Sequence, residues 1–187
     1  MADLLTDVCH DVNVEPRLQL LSGETFTTHS TATEDNSRPD IAASGFWGGR
    51  FQRAFFDIRL LNPFAPSNWT PQMTTCYRRH ECEKRRKYDQ RIREVEHASF
   101  VPLVMSCTGG ADPCATVFLR RLAALLTERH HSNYSTVMEL LRIRLSFALL
   151  RSSIMCLRSS RSSARHPRRI DLGVADLAMT EGQVRRG

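Results

Sequence analysis

Long apolar runs are missing from this chain of 187 residues. Its most hydrophobic segment, residues 145–157, is interrupted by Arg151 and flanked by arginines. It falls short of the ~20 apolar residues needed to cross a bilayer, so no membrane partner is expected. No basic N-terminal region leads into a long apolar stretch, so no signal peptide is expected. The six cysteines (Cys9, Cys76, Cys82, Cys107, Cys114, Cys156) contain no C-x-x-C pair. Cys76, His80 and Cys82 sit close together at a spacing that fits no zinc module. All six are therefore read as reduced thiols in a reducing compartment, and secretion is not expected. The seven histidines form no H-E-x-x-H, and His130-His131 reads as a helix end, where a cation complements the dipole. G-x-S-x-G and phosphate-loop patterns are absent as well. Gly48-Gly49 and Gly109-Gly110 read as turns, so no nucleotide cofactor is expected, and there are no internal repeats.

What is present suits one domain with a core. The chain is 41% hydrophobic and 25% charged, an ordinary balance, and 187 residues suffice for a buried centre. The formal charge of +6 is distributed unevenly. Residues 1–40 carry eight acids against Arg17 and Arg38, which leaves +12 on the remainder. A basic body favours a polyanionic partner, nucleic acid above all; the plain alternative is a basic protein without one.

In order along the chain, residues 2–12 read as an amphipathic helix with Leu4, Leu5, Val8, Cys9 and Val12 on one stripe. Residues 14–21 read as a strand that Pro16 pushes to an edge. Residues 22–37 form a polar, turn-rich loop. Two strands follow, 41–44 and 53–61, joined by the aromatic, glycine-rich loop GFWGGRFQ, which either packs over the sheet or stacks on bases. Residues 75–96 read as a long, very polar helix. Its cations are either solvated and held by pairs such as Glu81–Arg85 and Glu83–Lys87, or contact phosphates. The excess of positive charge favours phosphate contact by Arg78, Arg79, Lys84, Arg85, Arg86 and Arg91. Residues 100–106 read as a buried strand despite Pro102. Asp112-Pro113 caps a helix reaching about 129. A last helix spans 135–157, and residues 159–187, rich in serine and arginine, read as a disordered tail. Helix, strand, strand, strand, helix, strand, helix, helix is an α/β order, and a mixed sheet with helices on both sides accommodates it.

The stretch 38–63, RPDIAASGFWGGRFQRAFFDIRLLNP, is the chemical focus. A period of two places Phe55, Asp57 and Arg59 on one face of the second strand, with Phe56, Ile58 and Leu60 on the other. Asp40 heads the first strand. The two acids either form a metal-and-phosphate site or pair with Arg38, Arg53 or Arg59 at a strand edge.

Arg38-Pro39-Asp40 followed by Asp57-Ile58-Arg59 resembles the PD-(D/E)XK restriction-endonuclease-like pattern. More closely, residues 1–130 resemble the restriction-like endonuclease domain of site-specific non-LTR retrotransposon polyproteins. There an (R/K)PD strand precedes a second Asp and a helix with lysine and tyrosine, here Lys84, Lys87 and Tyr88. The resemblance implies a restriction-endonuclease-like mixed sheet flanked by helices over 1–158, carrying extra C-terminal helices. It also implies a magnesium-dependent DNA endonuclease and a nuclear place of action; the residues alone suggest a cytoplasmic one. Asp40 and Asp57 would hold Mg2+, with the Ile58 carbonyl as a further ligand, and Asp7 or Glu15 would stand in for a first-helix Glu. Arg59, Lys87 and Tyr88 would complete the catalytic set. Arg59 replaces the motif lysine. It orients water or neutralises phosphate but is a poor base, so Lys87 would supply the ammonium. The alternatives are a DNA-binding remnant without catalysis and a protein-interaction module built on the last helix. Oligomeric state is left open.

Overall fold

The computed structural model describes residues 1–19, 38–68 and 72–158, with side chains as far as 155. The expected loop 22–37 and tail 159–187 lie outside the described residues. So does the end of the expected first strand. By contact the chain divides into two compact units, Met1–Ser153 and Ile154–Gly187, and the first carries the sheet.

Helix α1 (Ala2–Val8) is followed by strands β1 (His10–Val14), β2 (Ile41–Ser44) and β3 (Arg53–Leu61). Then come α2 (Met73–Glu94), β4 (Ser99–Ser106), α3 (Pro113–His130) and α4 (Tyr134–Arg158). This is the element order that the sequence pattern predicts. The first two boundaries differ. The helix ends at Val8, because Cys9 is extended, and His10–Val14 takes the strand position expected at 14–21. Val12 and Val14 alternate with polar residues, a strand period that the apolar stripe of a helix had absorbed. A bulge interrupts the pairing between His10 and Asn13, where Asp11 has a φ of 47°. Pro16 falls just past the end of β1.

The four strands form one mixed sheet in the order β1-β2-β3-β4, with β1-β2 and β2-β3 antiparallel and β3-β4 parallel. The parallel pair needs a crossover, and α2 supplies it. Pro102 is accommodated because β4 is an edge strand.

Each face of the sheet carries a helix. Ala42, Phe55 and Phe100 meet Tyr88 and Ile92 of α2 on one side. On the other, Phe56 packs against Phe46 and against Phe118 of α3, with ring centroids 5.1 and 5.0 Å apart, and Phe46 stacks on Phe118 at 4.8 Å. The alternation of β3 separates Phe55 from Phe56 and creates this two-sided core. Helix α1 packs on α3 and β1, burying Leu4 and Leu5. The aromatic loop is partly a packing element. Phe46 is fully buried, and Arg121 Nε donates to its carbonyl at 3.0 Å, whereas Phe51 is 90% exposed. Asp112 caps α3 by accepting the Ala115 N–H at 2.6 Å, as the Asp-Pro signal predicts.

Candidate metal and phosphate site

Antiparallel pairing brings the two acids of the 38–63 stretch together. Ile41 stands opposite Phe56, so one step further along the ladder Asp40 stands opposite Asp57. Asp40 Oδ2 accepts the Ile58 N–H at 2.6 Å, which fixes its carboxylate beside the neighbouring strand. Asp57 is only 2% exposed and lies under α2.

A cation from that helix meets it. Lys84 Nζ lies 2.5 Å from Asp57 Oδ2. It is a short, charge-assisted contact between the ammonium and the carboxylate. Burial pushes the Asp57 carboxyl up, the Lys84 ammonium pulls it back, Asp40 raises it again and Lys87 lowers it. The net direction is upward, so desolvation outweighs the lysine.

Tyr88 holds the other end of the motif. Its ring is buried against Phe100 at 5.6 Å, and its hydroxyl donates to the Arg38 carbonyl at 3.0 Å. The residue before Pro39-Asp40 is thereby tied to α2. Lys87 is exposed, with its ammonium 4.8 Å from the centre of the Tyr88 ring; Lys84 lies 5.8 Å from the same ring.

Several expectations change. Tyr88 was expected in the catalytic set, but its hydroxyl is engaged by the backbone and its ring by the core, so it positions the Arg38-Pro39-Asp40 segment. Lys84, expected on a phosphate-binding surface, is instead the ammonium at Asp57. Asp7 is exposed on α1. That helix packs on α3, on the Phe56 side of the sheet, away from the face that carries Asp57. Glu15 is exposed, and its backbone N–H donates to the Asp40 carbonyl at 2.8 Å, so it neighbours Asp40 through the main chain. Arg59 shares the Asp57 face of β3 by alternation and is exposed.

The basic helix also divides. Arg91 is buried and leaves the expected nucleic-acid surface. Arg85 pairs with Glu81 at 2.9 Å, as the spacing predicts, while Glu83 pairs with His80 rather than with Lys87. Arg79 is exposed and donates to Asn68 Oδ1 at 2.5 Å. Arg78 and Arg86 are exposed on the outer face.

Two signals in the sequence mark Lys84. The chain contains only two lysines among 26 basic residues, and both lie on α2. Cys76, His80, Lys84, Tyr88 and Ile92 also recur every four residues, which is the inward stripe of the helix.

The donor set fits a hard divalent cation. Two carboxylates stand opposite each other on adjacent strands, and one is a buried acid that needs positive charge nearby to stay ionised. Magnesium favours oxygen ligands, few of them from protein. Among the described residues no helix is long and apolar enough to cross a membrane. The five described cysteines are free thiols. No family model, curated protein or solved structure matches the chain.

Proposed function

We propose that this chain is a magnesium-dependent DNA endonuclease domain with a restriction-endonuclease-like fold, of the kind found in retrotransposon polyproteins. The observation that carries the reading is Asp40 and Asp57 brought opposite each other, with Lys84 on Asp57. The αβββαβ order, with three antiparallel strands and a fourth parallel to the third, supports it.

Asp40 and Asp57 would hold the magnesium. The ion would neutralise charge on the scissile phosphate and acidify a bound water. The chain's own residues do the rest. Lys84 offsets the Asp57 charge and places an ammonium where the phosphate would lie. Its position on α2 replaces the strand lysine, so Arg59 need not act as a base. Lys87 adds positive charge at the rim. Tyr88, through Arg38, keeps Asp40 in register with Asp57. Arg78 and Arg86 face outward, where they would meet the DNA backbone.

Incubating the protein with supercoiled plasmid and magnesium tests this. Nicking that disappears in Asp57→Ala is expected. Absence of nicking, or nicking that survives that substitution, would exclude the reading. Lys84→Ala should slow nicking by roughly 10²–10³-fold, the usual effect of removing one preorganised charge from a transition state. A second reading, DNA binding without cleavage, is favoured by one observation: Lys84 already occupies Asp57 Oδ2. It predicts salt-sensitive DNA binding that is indifferent to Asp57→Asn.

A further inference from the structure

A second group of ligand-type side chains lies where α2 meets the start of α3. Glu81 comes from α2. Asp112 and Cys114 come from the turn that caps α3 and from its first residues. One carboxylate oxygen from each acid and the Cys114 sulfur all lie within 4.8 Å of one another. Cys114 Sγ is 3.6 Å from Glu81 Oε1.

Asp112 supplies an independent sign that something is to be bound here. Its side chain is fully buried. Oδ1 accepts the Ala115 N–H as the helix cap, while Oδ2 is buried and makes no well-formed hydrogen bond, with the Val104 backbone as the other donor beside the carboxylate. A buried carboxylate oxygen without a well-formed hydrogen bond is costly, and a cation relieves that cost. In this structure the nearest positive group is Arg85, whose Nε lies 2.9 Å from Glu81 Oε1 and whose Nη2 lies 3.8 Å from Cys114 Sγ. The Arg85 side chain is 40% exposed and has Asp89 within 4.0 Å as another partner, so it can leave.

We infer that Glu81, Asp112 and Cys114 form a second cation site, selective for a thiophilic divalent ion of the zinc class. Sulfur with two carboxylates suits zinc, whereas magnesium avoids thiolate. Tetrahedral zinc places its ligand atoms about 3.3–3.8 Å apart, given its bond lengths. The Cys114–Glu81 separation is already in that range, and the half-buried Glu81 side chain is long enough to close the remaining gap. Binding is a ligand exchange without redox change. The Cys114 S–H bond breaks, its proton goes to solvent, a sulfur–zinc bond forms and Arg85 swings outward. Three protein ligands leave a fourth position for water. The ion would brace α2 against α3, with its ligand Glu81 three residues before Lys84.

The test uses the full chain under reducing conditions, titrated with zinc, and separately with cobalt(II) as a spectroscopic stand-in. One equivalent of metal is expected, with a thiolate-to-cobalt charge-transfer band and a zinc-dependent rise in the melting temperature. Cys114→Ser should remove the band and weaken zinc binding by more than the roughly 10–100-fold cost of losing an outer-sphere partner. Glu81→Gln, at a partly exposed position, should also weaken binding and serves as the second variant. Asp40→Ala with Asp57→Ala should leave the zinc titration unchanged, so failure here and failure of the nuclease reading are separable. No zinc binding by the wild-type chain, or binding undiminished in Cys114→Ser or Glu81→Gln, overturns the inference.

Discussion

Asp57 shows how one side chain can be functionally apt and structurally unfavourable. Its carboxyl is buried, and burial outweighs Lys84, so its pKa lies above the ordinary value of 3.8. The folded chain therefore holds that proton more tightly than the unfolded chain does. The resulting stability is fully present below 3.8 and is lost as the pH climbs through the raised value; above that value the deficit is constant. The ionised form of Asp57 thus opposes folding, the usual cost of a buried charge. Asp57→Asn should raise the melting temperature at pH 7 while abolishing nicking. Thermal unfolding followed by circular dichroism should show the advantage shrinking as the pH falls through the raised value and absent below 3.8. An Asp57→Asn variant less stable than wild type at pH 7 would mean that pairing with Lys84 outweighs burial.

Helix α2 is the element on which the proposed chemistry depends. Its inward stripe carries Lys84 to Asp57 and Tyr88 to Arg38, and its outward side carries Arg78 and Arg86. The two sides should respond differently to substitution. Arg86→Ala should weaken DNA binding and lower the slope of log K against log salt by about 0.9 per lost phosphate contact, measured by fluorescence anisotropy. Arg91→Ala, at a buried position, should leave that slope unchanged and instead cost about 1–3 kcal/mol of stability. On the opposite face of the sheet, Phe56 joins Phe46 and Phe118 in one aromatic cluster. Phe56→Ala should cost about 3–5 kcal/mol by denaturant unfolding, the range for emptying a buried aromatic site.

Across the whole chain, the charge and the site make separable demands. On the proposed reading, the excess of +12 beyond residue 40 would attract a polyanion without needing metal, whereas the Asp40–Asp57 pair would need a cation to act. Chelating magnesium should therefore abolish nicking yet leave the protein on DNA, and added salt should release it. Loss of DNA binding on chelation alone would show that the metal bridges protein and DNA and that the basic surface contributes little.

Much of the fold was open to reading from the residues in order. The alternation of 53–61, the Asp-Pro cap at 112 and the apolar run of β4 determine those elements locally, through side-chain period and backbone preference. Asp40 and Asp57 were expected to oppose each other across the hairpin of the 38–63 stretch, and the antiparallel pairing of β2 with β3 places them so. The start of the chain was harder, since Leu4, Leu5, Val8, Cys9 and Val12 satisfy a helical stripe even though the helix stops at Val8. Only the tertiary structure decided which cation meets Asp57, that Tyr88 is a clamp, that Arg91 is internal, and that Asp7 lies on the other side of the sheet. It also gathered Glu81, Asp112 and Cys114 from segments 31 or more residues apart. Composition and spacing report which groups a chain owns. Which of them lose their water and face one another depends on how α2 and α3 seat on opposite faces of the sheet, a choice made by the whole core and not by any local run.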